Sequence, residues 1–396
     1  MRWGMMVYVA MSSVAVDPDK LRNALVDRLR RARVVRSPAV EAAFRRVPRH
    51  VFLPDTAPVD AYRDDAIVTR WESDGLPSSS SSQPWIMAIM LEQLDLRPGH
   101  RVLEIGAGTG YNAAVMREIV GPSGRVVTVD IQPDVARDAV THLAAAGYSD
   151  VAVLAADGGF GHPEGAPFDR IIATAGVTDI PPYWRDQLVN GGILVVPLRL
   201  RTQCLSVALV RDGDVLRSRE VECCGFMHLR GAFGAADPVV SMGDGLFLSG
   251  PRADDVPLDL LGGLLAQTPR RVNGLIVPVN SFGLGGGLGV YLALQEPGVV
   301  DIFTTEPQRW GFHTVSGLLD VPARSLCLIR RDAVVVYGTD RAADRLRARA
   351  VEWVEMGQMG LDRLRIEIWP SGRAPDRPGG WLLRHRGSDV VSWFDG

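Results

Sequence analysis

Short apolar runs and amphipathic segments alternate along the first half of the chain. The runs at 101–105, 125–130, 151–154, 168–174 and 192–197 are nearly continuous, which predicts strands buried on both faces. Between them, 110–120, 132–146 and 181–189 carry apolar residues at helical spacing. Such alternation predicts a mostly parallel sheet wrapped by helices, with ligands bound beyond the carboxyl ends of the strands. Upstream, Asp17-Pro18 and Ser37-Pro38 each set a capping side chain before a proline at the first helical position. Leu21, Leu25 and Leu29 form one stripe, so the first helix is expected to pack on the domain as a surface helix. From Asp55 to Ser82 no period is sustained, and a long loop is expected.

Beyond residue 200 the pattern changes. Gln203–Val210 and Val215–Val221 predict a hairpin turning at Asp212-Gly213-Asp214, and Ser325–Ile329 with Ala333–Tyr337 predicts another. Between them, Pro238, Pro251, Pro257 and Pro269 raise the density of breakers. Gly283-Leu-Gly-Gly-Gly-Leu-Gly289 reads as a flexible turn ahead of an apolar strand. Asp340–Met356 predicts an amphipathic helix, followed by a strand at Leu364–Trp369. The expected architecture is an α/β, Rossmann-like domain with N-terminal helices over 1–231, then a C-terminal α+β accessory domain over 232–396.

Charge and composition remove several functions. A net charge of −3 supplies no electrostatic reason for a nucleic-acid partner. Lys20 is the only lysine, which excludes a P-loop and Schiff-base chemistry. Cys204, Cys223, Cys224 and Cys327 have no Cys-x-x-Cys spacing, so free thiols in a reducing cytoplasm and no metal site are expected. The start, Met1 to Ser12, has one positive charge and an apolar run too short to span a bilayer, so no membrane partner is expected.

The candidate chemistry begins at Val102-Leu-Glu-Ile-Gly-Ala-Gly-Thr-Gly-Tyr-Asn112. An apolar strand ends at Glu104-Ile105, then turns through Gly106, Gly108 and Gly110 into a helix. The next strand ends in Asp130, an acid placed to bind ribose hydroxyls. The spacing is Gly-x-Gly-x-Gly, not the dinucleotide Gly-x-Gly-x-x-Gly, and the upstream Glu104 would repel a pyrophosphate. A cationic nucleoside, S-adenosylmethionine, fits better. Asp157-Gly158 after the third strand is either an ordinary turn or an acceptor for an adenine amine. The serine tract Ser78–Ser82 runs through Gln83-Pro84 into the apolar face Trp85–Leu91, and its hydroxyls could hold a carboxylate.

These residues occur in an order that closely resembles the protein-L-isoaspartate O-methyltransferase family over about residues 20–230. The matching segments include His50-Val-Phe-Leu-Pro, Ser82-Gln-Pro, Val102 to Tyr111, Val127-Thr-Val-Asp130 and Ala156-Asp157-Gly158. Pro167-Phe-Asp-Arg-Ile-Ile172 and Leu188-Val-Asn-Gly-Gly-Ile-Leu-Val-Val-Pro197 complete the series. The resemblance implies a class I S-adenosylmethionine-dependent methyltransferase fold, with S-adenosylhomocysteine as product. It implies Ser82, helped by Ser81, as the catalytic hydroxyls. It implies donor binding by Ser80, Gln83, Met87, Glu104, Gly106, Ala107, Gly108, Gly110, Asp130, Ile131, Asp157, Gly158 and Thr174. Substrate binding is implied for Ser79, Ala175, Gly176 and Val177, with backbone amides near Gly176 assisting.

There are two departures from the family pattern. The loop ahead of Ser82 is replaced by Ile67 to Ser81, and the C-terminal unit is expected to be absent from repair enzymes. Both resemble a branch that esterifies a normal aspartate in a modified, cyclised precursor peptide of lanthipeptide or graspetide type, the ester closing to an aspartimide. The alternative is an enzyme that repairs isoaspartyl residues in proteins. A donor-binding protein without chemistry is disfavoured by intact Glu104, Asp130 and Asp157.

Overall fold

Both predicted caps form. In the computed structural model, Asp17 accepts from Asp19 N at 3.0 Å at the head of α1 (Pro18–Arg31), and Ser37 caps α2 (Pro38–Arg46). Leu25, Val26 and Leu29 are buried on the inner face of α1. The structure describes residues 17–396 except 74, 235–238, 251–252, 275–276, 278 and 281–282. The N-terminal segment read for a leader, together with Pro238 and Pro251, lies outside the described residues.

The segment expected to be a loop is ordered. A helical turn, α3 (Pro58–Ala61), leads to a hairpin of β1 (Ile67–Trp71) and β2 (Pro77–Ser81). Serines make this strand because their backbone pairs with β1, Ile67 against Ser81 and Val68 against Ser80. Main-chain pairing leaves no apolar period in the sequence, so nothing there announces it.

The alternating core matches expectation to within a few residues. It comprises α4 (Pro84–Leu94), β3 (Arg101–Ile105), α5 (Tyr111–Val120), β4 (Arg125–Asp130), α6 (Pro133–Ala145), β5 (Ala152–Ala155), β6 (Phe168–Ala173), α7 (Pro182–Gln187) and β7 (Leu188–Leu200). Strands β5, β4, β3, β6 and β7 are parallel neighbours in that order. The hairpin β8 (Gln203–Asp212) and β9 (Val215–Cys223) continues the sheet antiparallel. The strand order reverses between β3 and β6, where a crevice for ligand must open.

A second, seven-stranded antiparallel sheet spans residues 239–338. Helices Gly286–Gln295 and Arg341–Glu355 pack on one face of it, and Leu258–Leu265 on the other. The break between the sheets does not coincide with a single break in the chain. Leu364–Pro370, read as part of the accessory domain, pairs with β9 instead, and Trp381–Arg384 and Ser388–Phe394 complete a ten-stranded first sheet. Asp179 of the first unit accepts from Gly387 N and Ser388 Oγ, both at 2.7 Å, which fastens this C-terminal return.

The glycine run also departs from expectation: Gly286–Gln295 is a helix, not a turn before a strand. Its residues Gly287 to Leu294 are buried, and a short, wholly apolar run cannot be assigned to helix or strand by period alone. Gly287 is required by contact, since a Cβ there would lie 1.9 Å from Met359 O and 2.8 Å from the Trp353 ring. Helix propensity alone predicts that Gly287→Ala stabilises by about 1 kcal/mol. Overpacking against backbone reverses the sign. We expect denaturant unfolding to show a loss of about 1–3 kcal/mol, and a gain would refute the packing argument.

Candidate active site

A cleft of about 880 Å³ opens at the carboxyl ends of β3, β4 and β6. It runs from the Gly106 turn, beneath the β1–β2 hairpin, to strand Val299–Thr304 of the second sheet.

One part of the lining is built by β3 and β4. Gly106 adopts φ +100°, and a Cβ on it would lie 2.5 Å from Thr174 Oγ1, so glycine alone permits the turn to close on β6. Thr174 locks the closure, its hydroxyl donating to Gly106 O at 2.8 Å. Asp130 accepts from Gly108 N at 3.1 Å and Gln132 N at 3.0 Å, which leaves carboxylate lone pairs for ribose hydroxyls. Glu104 is wholly buried, accepting from Asn112 Nδ2 at 2.7 Å and Thr128 Oγ1 at 2.6 Å. Burial pushes its carboxyl up to about 7 against the pull of those two donors, and the Asp130 charge adds to the rise. A cationic ligand would restore its ionised form. Ile86, Met87, Ile105 and Ile131 supply apolar surface. A cationic nucleoside fits this combination of acids, glycine turn and apolar wall.

Another part of the lining is the serine strand. Ser79, Ser80, Ser81, Ser82 and Gln83 all line the cleft. Ser81 Oγ is buried and has no hydrogen-bond partner among the described residues. Gln83 is anchored through Nε2 to Asp64 O at 2.9 Å. Arg49, unmarked in the sequence reading, fixes the end of this strand: it is fully buried, donates to Ala61 O at 2.9 Å and reaches Ser81 O at 3.5 Å. Its charge has the Tyr111 ring 5.2 Å away.

Of the residues expected in the site, Ala107, Gly108, Gly158 and Ala175 also line the cleft, and four do not. Gly110, at φ +86°, packs against Ala139 and Leu143 of α6 as the cap of α5. Asp157 accepts from Gly159 N at 2.9 Å and Ala232 N at 2.7 Å, the ordinary turn plus a tether to the segment after β9. Gly176 N donates to Met227 O at 2.7 Å and Val177 N to Pro197 O at 2.9 Å, so these amides are already engaged and are not substrate donors. Besides Arg49, the structure adds Asn112, Thr128, Arg199, His228, Arg230 and Asp301 to the site or its supports. Asn112 and Thr128 lie within the quoted motif segments but carry no role there; no local motif marks Arg199, His228, Arg230 or Asp301, which reach the cleft through tertiary contact.

Residues 20–232 match the sequence profile of the family described as protein-L-isoaspartate(D-aspartate) O-methyltransferase. The chain belongs to this family. A protein-L-isoaspartate O-methyltransferase of Methanopyrus kandleri is 41% identical over 223 residues, 55% of this chain and 95% of its own. One from Thermotoga maritima is 40% identical over 162 residues, 41% of this chain and 51% of its own. The methyl donor is accordingly S-adenosylmethionine, in agreement with the anionic donor pocket. A solved protein-L-isoaspartate O-methyltransferase superposes on 94% of this methyltransferase and 99% of its own chain, with TM-score 0.53 at 23% identity. The overall fold is therefore shared across nearly the whole chain. This overturns the expectation that the C-terminal unit is foreign to isoaspartate methyltransferases. Among the described residues no helix is long and apolar enough to cross a membrane.

The Glu104 environment yields a prediction. Its folded pKa is raised to about 7, so the counter-charge it offers a cationic donor is present above that pH and lost below it. The ionised fraction of such a group changes about tenfold between pH 6 and 8. Calorimetry should find S-adenosylmethionine binding tightening by about that factor, over and above any dependence kept by Glu104→Gln. Identical pH profiles for the two proteins would remove Glu104 from donor recognition.

Proposed function

We propose that this methyltransferase esterifies the free α-carboxylate of isoaspartyl residues in polypeptides. The observation that carries the reading is the Ser81 hydroxyl, buried in the cleft that the Gly106 turn also lines and without a hydrogen-bond partner among the described residues. A hydroxyl in that state lacks a hydrogen bond that an incoming carboxylate can accept. Family membership through residue 232 supports the substrate class.

Bound at the Glu104–Asp130 pocket, S-adenosylmethionine supplies an electrophilic methyl group on a sulfonium centre. A carboxyl of ordinary pKa, about 4, is already ionised at neutral pH, so the chain needs no general base. Its contribution is positioning and removal of water. Ser81 and Ser82 donate to one carboxylate oxygen and leave the other free to react. Arg49 keeps the serine strand in register by holding Ser81 O. Ile86, Met87 and Met90 keep the wall around them apolar. The ester makes methoxide a competent leaving group, so the next amide nitrogen of the peptide closes a succinimide, which water then opens.

A second reading, esterification of a normal aspartate in a cyclised lanthipeptide or graspetide precursor, is favoured by one observation. The β1–β2 hairpin roofs the cleft and is tied to the segment after β9 by Arg230, which donates to Glu72 at 2.8 Å and Ser78 O at 2.9 Å. A roof of this kind could select a constrained peptide.

Incubation with methyl-labelled donor and a peptide pair differing only in isoaspartate or aspartate separates the two. We expect a base-labile methyl ester on the isoaspartyl peptide. Labelling only of normal aspartate in the cyclised precursor would establish the second reading instead. Ser82→Ala is expected to lower kcat about 10–100-fold with donor affinity unchanged, and parallel loss of both would contradict its role.

A further inference from the structure

Three of the four cysteines, Cys204, Cys223 and Cys224, line the cleft. Cys204 is the second residue of β8, and Cys224 follows the last residue of β9. The register pairs Leu205 with Cys223, so Cys204 and Cys224 stand opposite each other one step further, where Cys224 N donates to Cys204 O at 3.1 Å. Their sulfurs are 3.5 Å apart. Side chains directly opposite on an antiparallel pair share one face of the sheet, and two cysteines so placed lie within the span of a disulfide. Cys223 has a different partner, its sulfur accepting from Gly286 N at 3.5 Å. Cys327 is fully buried, and burial pushes its thiol up to about 12, which makes it inert.

The facing sulfurs are not equivalent. The hydrogen bond from Cys224 holds the Cys204 thiol below its ordinary range against the effect of burial, and the charge of Arg199, its neighbour on β7, lowers it further. Burial, and then the contact with Cys204, push the Cys224 thiol well above its own range. A low-lying thiol beside a resolving partner, reached through an open cleft, is the arrangement of an oxidisable pair.

We propose that Cys204 and Cys224 are a modification site, which hydrogen peroxide converts to a disulfide that slows methyl transfer and which a dithiol restores. The Cys204 thiolate attacks one peroxide oxygen, the O–O bond breaks, and the leaving hydroxide takes up the thiol proton as water. The Cys224 sulfur then attacks the Cys204 sulfenic acid. The S–S bond forms, the S–O bond breaks, and the hydroxyl leaves with the Cys224 proton as a second water. Each sulfur gives up one electron, and the two peroxide oxygens accept them.

The bond acts on the cleft through what Cys224 carries. A disulfide spans about 2.05 Å, so closing it draws the sulfurs together by about 1.5 Å. Cys224 opens the run to Arg230 that lines the cleft. In that run Met227 O accepts from Gly176 N at 2.7 Å and Leu229 N donates to Gly176 O at 2.8 Å, while Arg230 holds Glu72 and Ser78 O of the β1–β2 hairpin. A shift at Cys224 therefore reaches the turn after β6 and the serine strand together. The effect on turnover rests on the carboxylate-esterifying reading above; the bond itself does not.

Peroxide treatment of the full chain, followed by intact mass, non-reducing peptide mapping and turnover on an isoaspartyl peptide, tests it. The mass should fall by two hydrogens, with the peptides holding Cys204 and Cys224 joined. Turnover should fall about tenfold, since a displacement on the order of 1 Å at a reacting centre costs up to about a hundredfold. Dithiothreitol should restore it, which separates this loss from methionine oxidation in the same cleft, because a thiol does not reverse the latter. Measured as the ratio of treated to untreated turnover within each protein, the reversible loss should vanish in Cys204→Ser and persist in Cys223→Ser. A bond mapped to another pair, no bond at all, or a Cys204–Cys224 bond with turnover unchanged would overturn the proposal while leaving the esterification reading intact. Failure of the reduced chain to methylate any peptide carboxylate would overturn that reading and the switch with it. If Cys204→Ser does not fold, the mapped bond and the reversal in the unsubstituted chain carry the test.

Discussion

The buried carboxylate of Glu104 is the constraint around which the first unit is arranged. A charge placed at the end of a fully covered parallel strand is costly unless something answers it. Two hydrogen bonds, from Asn112 and Thr128, do so only in part, and the carboxyl remains pushed up to about 7. Its charged form is completed by a positive ligand, which ties donor recognition to the same strand that builds the core. Asp130, one strand over, uses two backbone amides for its own orientation and keeps lone pairs for the ligand.

From that strand the rest of the site follows by tertiary contact. Thr174 draws the end of β6 onto Gly106, which places the turn after β6 beside the Gly106 turn. The serine strand lies over both, with Ser80 O 3.2 Å from where a Cβ on Gly108 would be. The second sheet closes the far side through Asp301 and its neighbours. Its attachment is not a flexible tether. The chain returns through Leu364–Pro370 and Ser388–Phe394 to pair with the first sheet, and Trp353 meets Phe394 at 5.1 Å between ring centres. A wall fastened at both ends can hold a substrate contact to a fraction of an ångström, which in-line transfer demands.

What was legible in the sequence was local. Glycine turns, caps and strands buried on both faces leave marks at fixed spacing, so the turn at Gly106, the acid that ends β4 and the succession of strands β3 to β7 along the chain could be read directly. The serine strand could not, because its pairing with β1 is made by backbone atoms common to every residue. The helix at Gly286 was missed because its run is short and wholly apolar and because one of its glycines, Gly287, answers a contact with Met359 and Trp353, far along the chain. The Gly176 amide illustrates the opposite case: a residue of the right type in the right order, whose N–H is already used by the fold. Arg199 and Asp301 lie on different sheets, and only the folded chain brings them to one cleft.

The central claim is that both sheets together enclose one carboxylate beside one donor. A crystal structure with S-adenosylhomocysteine and an isoaspartyl peptide tests it most directly. The account predicts the nucleoside between the Gly106 turn and Asp130, and the peptide carboxylate within hydrogen-bond reach of Ser81 or Ser82, in the part of the cleft lined by strand Val299–Thr304. A peptide bound with its carboxylate away from these groups, or without contact to the second sheet, would contradict it.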